Sequence, residues 1–194
     1  MCNSGKGCKF IMLCLFVVIL SLSGYALAAP LHEAAKEGDL AKVNRLIEGG
    51  ADVNVRAENG ATPLHWAADR GHKDVAELLI SKDAKVNAET KGGATPLHWA
   101  ALAGHKDVAE LLISKGANVN AETKYGMTPL HRAARNGHKD MAELLISKGA
   151  NVNAESKTGW TPLSVAGKAL SSVTPEVKKG RKDVRELLRR HGAH

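Results

Sequence analysis

The sequence predicts an all-α repeat protein, a solenoid built from short helix-turn-helix units. Three observations predict it. The triplet Thr-Pro-Leu recurs at Thr62, Thr95, Thr128 and Thr161, each 33 residues after the last, and Pro30 precedes Pro63 by the same interval. Residues 94–126 and 127–159 are identical at 26 of 33 positions. Beyond an apolar leader the chain has neither Cys nor Phe, so its core falls to Leu, Val, Ile and Ala, which suit thin stacked layers better than one thick core.

The leader comes first. Residues 1–9 carry Lys6 and Lys9 and no acid, and the apolar run "FIMLCLFVVILSL" follows. That run is shorter than the ~20 apolar residues of a bilayer span. Ala26 and Ala28 then form a small-x-small triplet. A basic start, a short apolar run and such a triplet predict a secretory signal peptide over residues 1–28, cut after Ala28 to leave Ala29 first. The alternative is an uncleaved segment that tethers the protein to a membrane. Cys14 lies inside the apolar run behind bulky Leu13, which argues against a lipid-anchored cysteine. The expected location is outside the cytoplasm, periplasmic or secreted. All three cysteines, Cys2, Cys8 and Cys14, go with the leader, so residues 29–194 have no thiol for a disulfide, a metal or a nucleophile. Losing Lys6 and Lys9 lowers the formal charge from +7 to +5, too mild to define a partner.

Five units follow, at about 28–60, 61–93, 94–126, 127–160 and 161–194. Each reads as two helices and a loop. Thr62 suits an N-cap, where its hydroxyl accepts from a first-turn amide, and Pro63 suits the first helical position, where its missing N–H costs nothing. The first helix, "PLHWAADR", stops at Gly71, which tolerates a left-handed backbone. The second, "HKDVAELLISK", places Val75, Leu78 and Leu79 on one apolar stripe, with Asp74 near its N-terminus and Lys82 near its C-terminus. "GANVNAETKYG" is too rich in Asn and Gly for helix and predicts an extended turn toward the next unit.

These residues, with the 33-residue period, resemble the ankyrin repeat over about 165 residues, through "TPLHxAAxxGHxxVxELL" and "GANVNA". The resemblance implies an ankyrin solenoid, an L-shaped stack of helix pairs joined by β-hairpin-like loops, used to bind other proteins. Two departures stand out. Asp83 replaces the glycine found at Gly50, Gly116 and Gly149. Unit 5 reads "TPLSVAGKAL", lacks the histidine, and carries about ten extra residues near 170–179, either an idle loop or an arm over the binding face.

The ends carry charge where inner units carry core residues. Arg45 stands where Leu78, Leu111 and Leu144 stand, and Arg185 and Arg189 stand where Ala76 and Ile80 stand. A terminal unit has one face without a neighbour and needs it polar, so the array is expected to be capped and monomeric.

Seven of the nine histidines recur with the repeat: His32, His65, His98 and His131 after Pro-Leu, and His72, His105 and His138 after Gly. Equivalent positions sit one unit apart, ~10 Å, too far to share a metal at ~2 Å per ligand, so a role tying loops to neighbouring backbone is expected. His191 and His194 are local but only two. No Gly-x-Ser-x-Gly, phosphate-cradling Gly loop or Cys is present beyond the leader, and the acids recur with the repeat as Asp74, Asp107 and Asp140 or Glu77, Glu110 and Glu143. The expectation is a non-enzymatic protein without cofactor or metal. "KKGRKDVRELLRR", 178–190, holds seven cations and reads as a solvated capping helix; binding of anionic lipid or nucleic acid through it is the alternative function.

Comparing the units locates the candidate binding residues. Units 3 and 4 differ at seven positions and units 2 and 3 at five. Most differences lie at the loop tip or the outward side of the first helix, the sites that line the concave groove in the ankyrin pattern. They hold Trp66, Asp69, Arg70, Trp99, Leu102, Tyr125, Met127, Arg132, Arg135, Asn136 and Trp160. All three Trp are there, with the only Tyr beyond the leader, and such residues dominate protein hot spots. Trp66 and Trp99 are expected ~10 Å apart, facing outward and free of the core, with Arg132 and Arg135 bordering the strip in positive charge and Asp69 in negative.

Overall fold

The computed structural model describes residues 30–168 and 174–194. The leader, its cut after Ala28, and residues 169–173 of the unit 5 insertion lie outside the described residues. Helix α1 covers 30–37. It is followed by α2 (Leu40–Glu48), α3 (Pro63–Arg70), α4 (Lys73–Ser81), α5 (Pro96–Ala103) and α6 (Lys106–Ser114). Then come α7 (Pro129–Asn136), α8 (Lys139–Ser147), α9 (Pro162–Gly167) and α10 (Pro175–Arg190). No strand occurs among the described residues.

The helices form two layers. First helices pack on first helices, α3 on α5, α5 on α7 and α7 on α9, and second helices follow as α2, α4, α6 and α8. Leu31, Leu64, Leu97 and Leu130 are buried in the first layer, and Val43, Leu79, Leu112, Leu145 and Leu188 in the second. Each fully buried Leu contributes about 1.5–3 kcal/mol. Paired alanines, such as Ala67–Ala68 and Ala100–Ala101, are wholly buried and let neighbouring helices approach closely. Among the described residues, no helix is long and apolar enough to cross a membrane.

The capping box closes through histidine. Thr62 N–H donates to His65 Nδ1 at 3.1 Å, and the Thr62 hydroxyl lies 2.9 Å from the same nitrogen. A backbone N–H only donates, so Nδ1 accepts and the ring hydrogen sits on Nε2. Nε2 then donates to Ala94 O of the next unit at 3.0 Å. His32, His98 and His131 reach forward in the same way to Ala61 O, Met127 O and Trp160 O. The second histidine of units 2, 3 and 4 is the N-cap residue of the second helix and reaches backward: His72 to Lys36 O, His105 to Asp69 O and His138 to Leu102 O, at 2.9–3.0 Å. The second helix is therefore shorter than its sequence stretch, with His72 as N-cap and Lys82 as C-cap. Gly71 is required twice over. Its φ is +76°, and a Cβ there would lie 2.5 Å from the His105 ring.

Loop residues complete each junction. The Asn54 side chain donates to Asp83 O at 3.0 Å and accepts from Lys85 N at 2.8 Å. Asn87, Asn120 and Asn153 repeat this pair of bonds one unit further on. The tips, expected to resemble β-hairpins, are hydrogen-bonded turns: Thr90 N–H donates to Ala94 O, and Lys91 N–H to Asn59 O of the preceding tip.

Unit 5 departs from the pattern. Ser164 replaces the histidine and closes a box with Thr161 inside its own unit. Helix α9 ends at Gly167, and Lys168 is extended rather than left-handed. The insertion is not all loop. Thr174 caps a helix that starts at Pro175, so 175–179 lengthen α10 at its N-terminal end. Just after that extension, α10 meets the end of α7 with two glycines face to face. A Cβ on Gly137 would lie 2.6 Å from Arg181 N, and one on Gly180 would overlap Gly137 O.

The end positions divide. Arg45 is exposed where Leu111 and Leu144 are buried and Leu78 is half-buried, and Arg189 is exposed where Ile80 is half-buried, in the direction capping predicts. Arg185 is only half exposed, with a buried Nε that lacks an acceptor.

Candidate protein-binding groove

The residues that vary between units fall into rows, because each occupies one register position on a stacked first helix or tip. Trp66, Trp99 and Arg132 form one row, continued by Val165. Asp69, Leu102 and Arg135 form a second, continued by Lys168. Met127 and Trp160 form a third, preceded by Ala61 and Ala94.

The tryptophans are not placed as the sequence suggested. The Trp66 and Trp99 rings are 5.2 Å apart, edge to face at 87°, because the side chains lean toward each other across the ~10 Å between helices. Trp99 also meets the His65 ring at 5.2 Å and 71°. Both are half-buried, and Trp66 packs against the core with its Nε1 buried and unpartnered. They are packing residues as well as surface. Lys36 stands 5.9 Å over Trp66.

Asp69 is likewise engaged. Its carboxylate lies 3.4 Å from Arg70 Nε, so the two charges compensate each other. Asn136 is half-buried and donates to Leu102 O at 2.6 Å, beside the His138 bond to the same carbonyl, and so serves the junction. Leu102 is half-buried, and Tyr125 stands 73% exposed at a tip.

The C-terminal side differs. Arg132 is half-buried, and burial first, then the Arg135 charge, hold its guanidinium below the ordinary arginine value. Arg135 is exposed and no described acid pairs with either. Met127, Arg135, Trp160, Val165, Lys168 and Arg181 line an open cavity of about 190 Å³. Lys168 lies 4.7 Å over the Trp160 ring.

Beneath the face lie three neutral imidazoles. Burial pushes His65 and His98 down to about 4 and lowers His131, outweighing the carbonyl that each Nε2 meets. They hold the scaffold and are closed to metal at Nε2, which is bonded to carbonyl oxygen.

Sequence reasoning missed the asparagine ladder and Arg181. The ladder was signalled by "VN" at one loop position in successive units. Arg181 was signalled by "GRKDV" standing where other units read "GHKDV".

A family model described as ankyrin repeats (3 copies) matches residues 31–123 and again 117–193. A comparison with curated proteins found no match. Period, paired helices and family model agree: the chain belongs to the ankyrin-repeat family.

Proposed function

We propose that this protein is an exported, non-enzymatic scaffold whose groove face binds a partner protein. One observation carries the reading. The bonds between units are made mostly by recurring side chains to backbone, while most of the variable positions gather on one face and include half-buried Leu102, exposed Tyr125, and Arg132 and Arg135, which have no ion pair among the described residues. Aromatic and Arg side chains on such a face are those that anchor protein partners. Export rests on the leader, with Ala29 as the proposed mature N-terminus, and intact mass of the secreted protein tests it. A mass that retains the leader would sink the cut.

Photo-crosslinking tests the groove. A crosslinker at Leu102 should capture the partner, and one at Glu110, exposed on the second-helix layer, should not. Capture from Glu110 alone would place binding on the opposite face.

A second reading has one observation in its favour. Lys178, Lys179, Lys182 and Arg189 are exposed on α10 without an ion pair among the described residues, whereas Arg190 pairs with Glu186. Binding to anionic vesicles that weakens steeply with salt would support it.

A further inference from the structure

Resting on the reading of this face as a protein-binding groove, we propose that the cavity at its C-terminal end is a carboxylate subsite, which seats an acidic side chain of the partner beside an apolar one. The observation behind it is a buried cation without an anion. Arg181 is only 5% exposed. Its Nη2 donates to Val165 O at 2.8 Å, which orients the guanidinium, while its Nε is buried with no acceptor. A buried charged donor without an acceptor is costly, and it is relieved most by a charged acceptor.

The surroundings sharpen the chemistry. Arg135 and Lys168 line the same cavity, and neither they nor Arg181 pair with an acid among the described residues. Residues 169–173, "ALSSV", contain no acid either. Burial, then the Arg135 and Arg185 charges, disfavour the charged form of Arg181, so the site is short of negative charge. Met127, Trp160 and Val165 form the apolar wall. A cavity of about 190 Å³ lies below the ~300–1,000 Å³ typical of small-molecule pockets, so it matches a side chain rather than a free metabolite.

The position also fits. Arg181 stands where inner units carry the backward-reaching histidine, at the one junction where that histidine is missing. At the other junctions the ring nitrogen is satisfied by a carbonyl of the preceding unit. Here the donor is longer, permanently charged and only partly satisfied.

Two peptides test the proposal, acetyl-Leu-Glu-amide and acetyl-Leu-Gln-amide, titrated into the protein and followed by the Trp160 indole and Arg181 Nε–H resonances. The Glu peptide should move both, with affinity at least ~5-fold above the Gln peptide. Arg135→Gln with Lys168→Gln, both exposed, should reduce that preference but not abolish it, because Arg181 remains, while leaving thermal unfolding unchanged. Equal response to both peptides would overturn the carboxylate subsite and leave the groove a peptide-binding surface. No response at Trp160 would overturn it too, while the crosslinking result at Leu102 stands or falls separately. Equal displacement of the Glu peptide by inorganic phosphate at matched concentration would reduce the site to general anion attraction, which also overturns the proposal.

Discussion

The two halves of the groove face use the same register positions on nearly the same scaffold, and they use them differently. On the N-terminal side, Trp66 and Trp99 meet each other and Trp99 covers His65, while Asp69 answers Arg70. On the C-terminal side, Arg132, Arg135, Lys168 and Arg181 have no answering acid among the described residues, and Trp160 borders an open cavity. The first half answers its charge from within, although the Trp66 Nε1 hydrogen has no acceptor. The second half lacks a counter-charge and has room for it. An outward register position therefore does not identify a binding residue by itself; what the side chain already touches decides.

Acid should break the comparison most strongly. His65 and His98 take protons near 4 when folded, against 6.5 for an unperturbed imidazole. Between those values the unfolded chain binds more protons, so stability is full above pH 6.5 and is lost as pH falls toward 4. Each of the two withdraws about 3 kcal/mol when fully titrated. Ser164 holds the matching place in unit 5 and does not titrate. Amide exchange should therefore accelerate around α3 and α5 on acidification before it does around α9. Uniform protection down to pH 4 would contradict the neutral, carbonyl-bonded imidazoles.

Truncating aromatics is the next largest test. Trp99→Ala removes the contacts to Trp66 and His65 and should cost about 2–3 kcal/mol in urea unfolding. Trp160→Ala should cost under about 1.5 kcal/mol, since that ring faces a cavity. Equal and small costs would return the N-terminal tryptophans to the status of free anchors. A smaller effect belongs to Gly180. Intrinsic helix preference predicts that Gly180→Ala gains about 1 kcal/mol, but overlap with Gly137 predicts a net loss of about 1–2 kcal/mol. A gain in midpoint would mean α10 does not lie on α7 as described. The smallest effect is expected at Asp83, whose φ of +66° is the single positive value among described non-glycine residues. Asp83→Gly should stabilise by up to about 1 kcal/mol, read in the same urea titration.

Much of the scaffold was legible because it is repetitive. Thr62 before Pro63, Gly71 after Arg70 and the Val75–Leu79 stripe each state a local requirement, and three copies state it three times. The fate of the outward residues was not legible. Register places Trp66 and Trp99 a helix spacing apart, but rotamers carry their rings across that gap. Register likewise puts Asn136 on the outward side, while its amide turns to Leu102 O. The insertion was half legible: Thr174-Pro175 is a helix start, yet its length alone suggested a loop. What α10 then packs on depends on Gly180 meeting Gly137, a pairing across 43 positions of chain that no local pattern announces.

The histidine and asparagine bonds between units all end on main-chain atoms of the neighbour. Every residue type offers those atoms, so a neighbour keeps its half of the contact whatever its side chains become. A tandem duplication of 33 residues thus arrives with its donors and acceptors already in frame. It lengthens the array without a matching change elsewhere, and each added copy brings a fresh set of outward positions open to substitution.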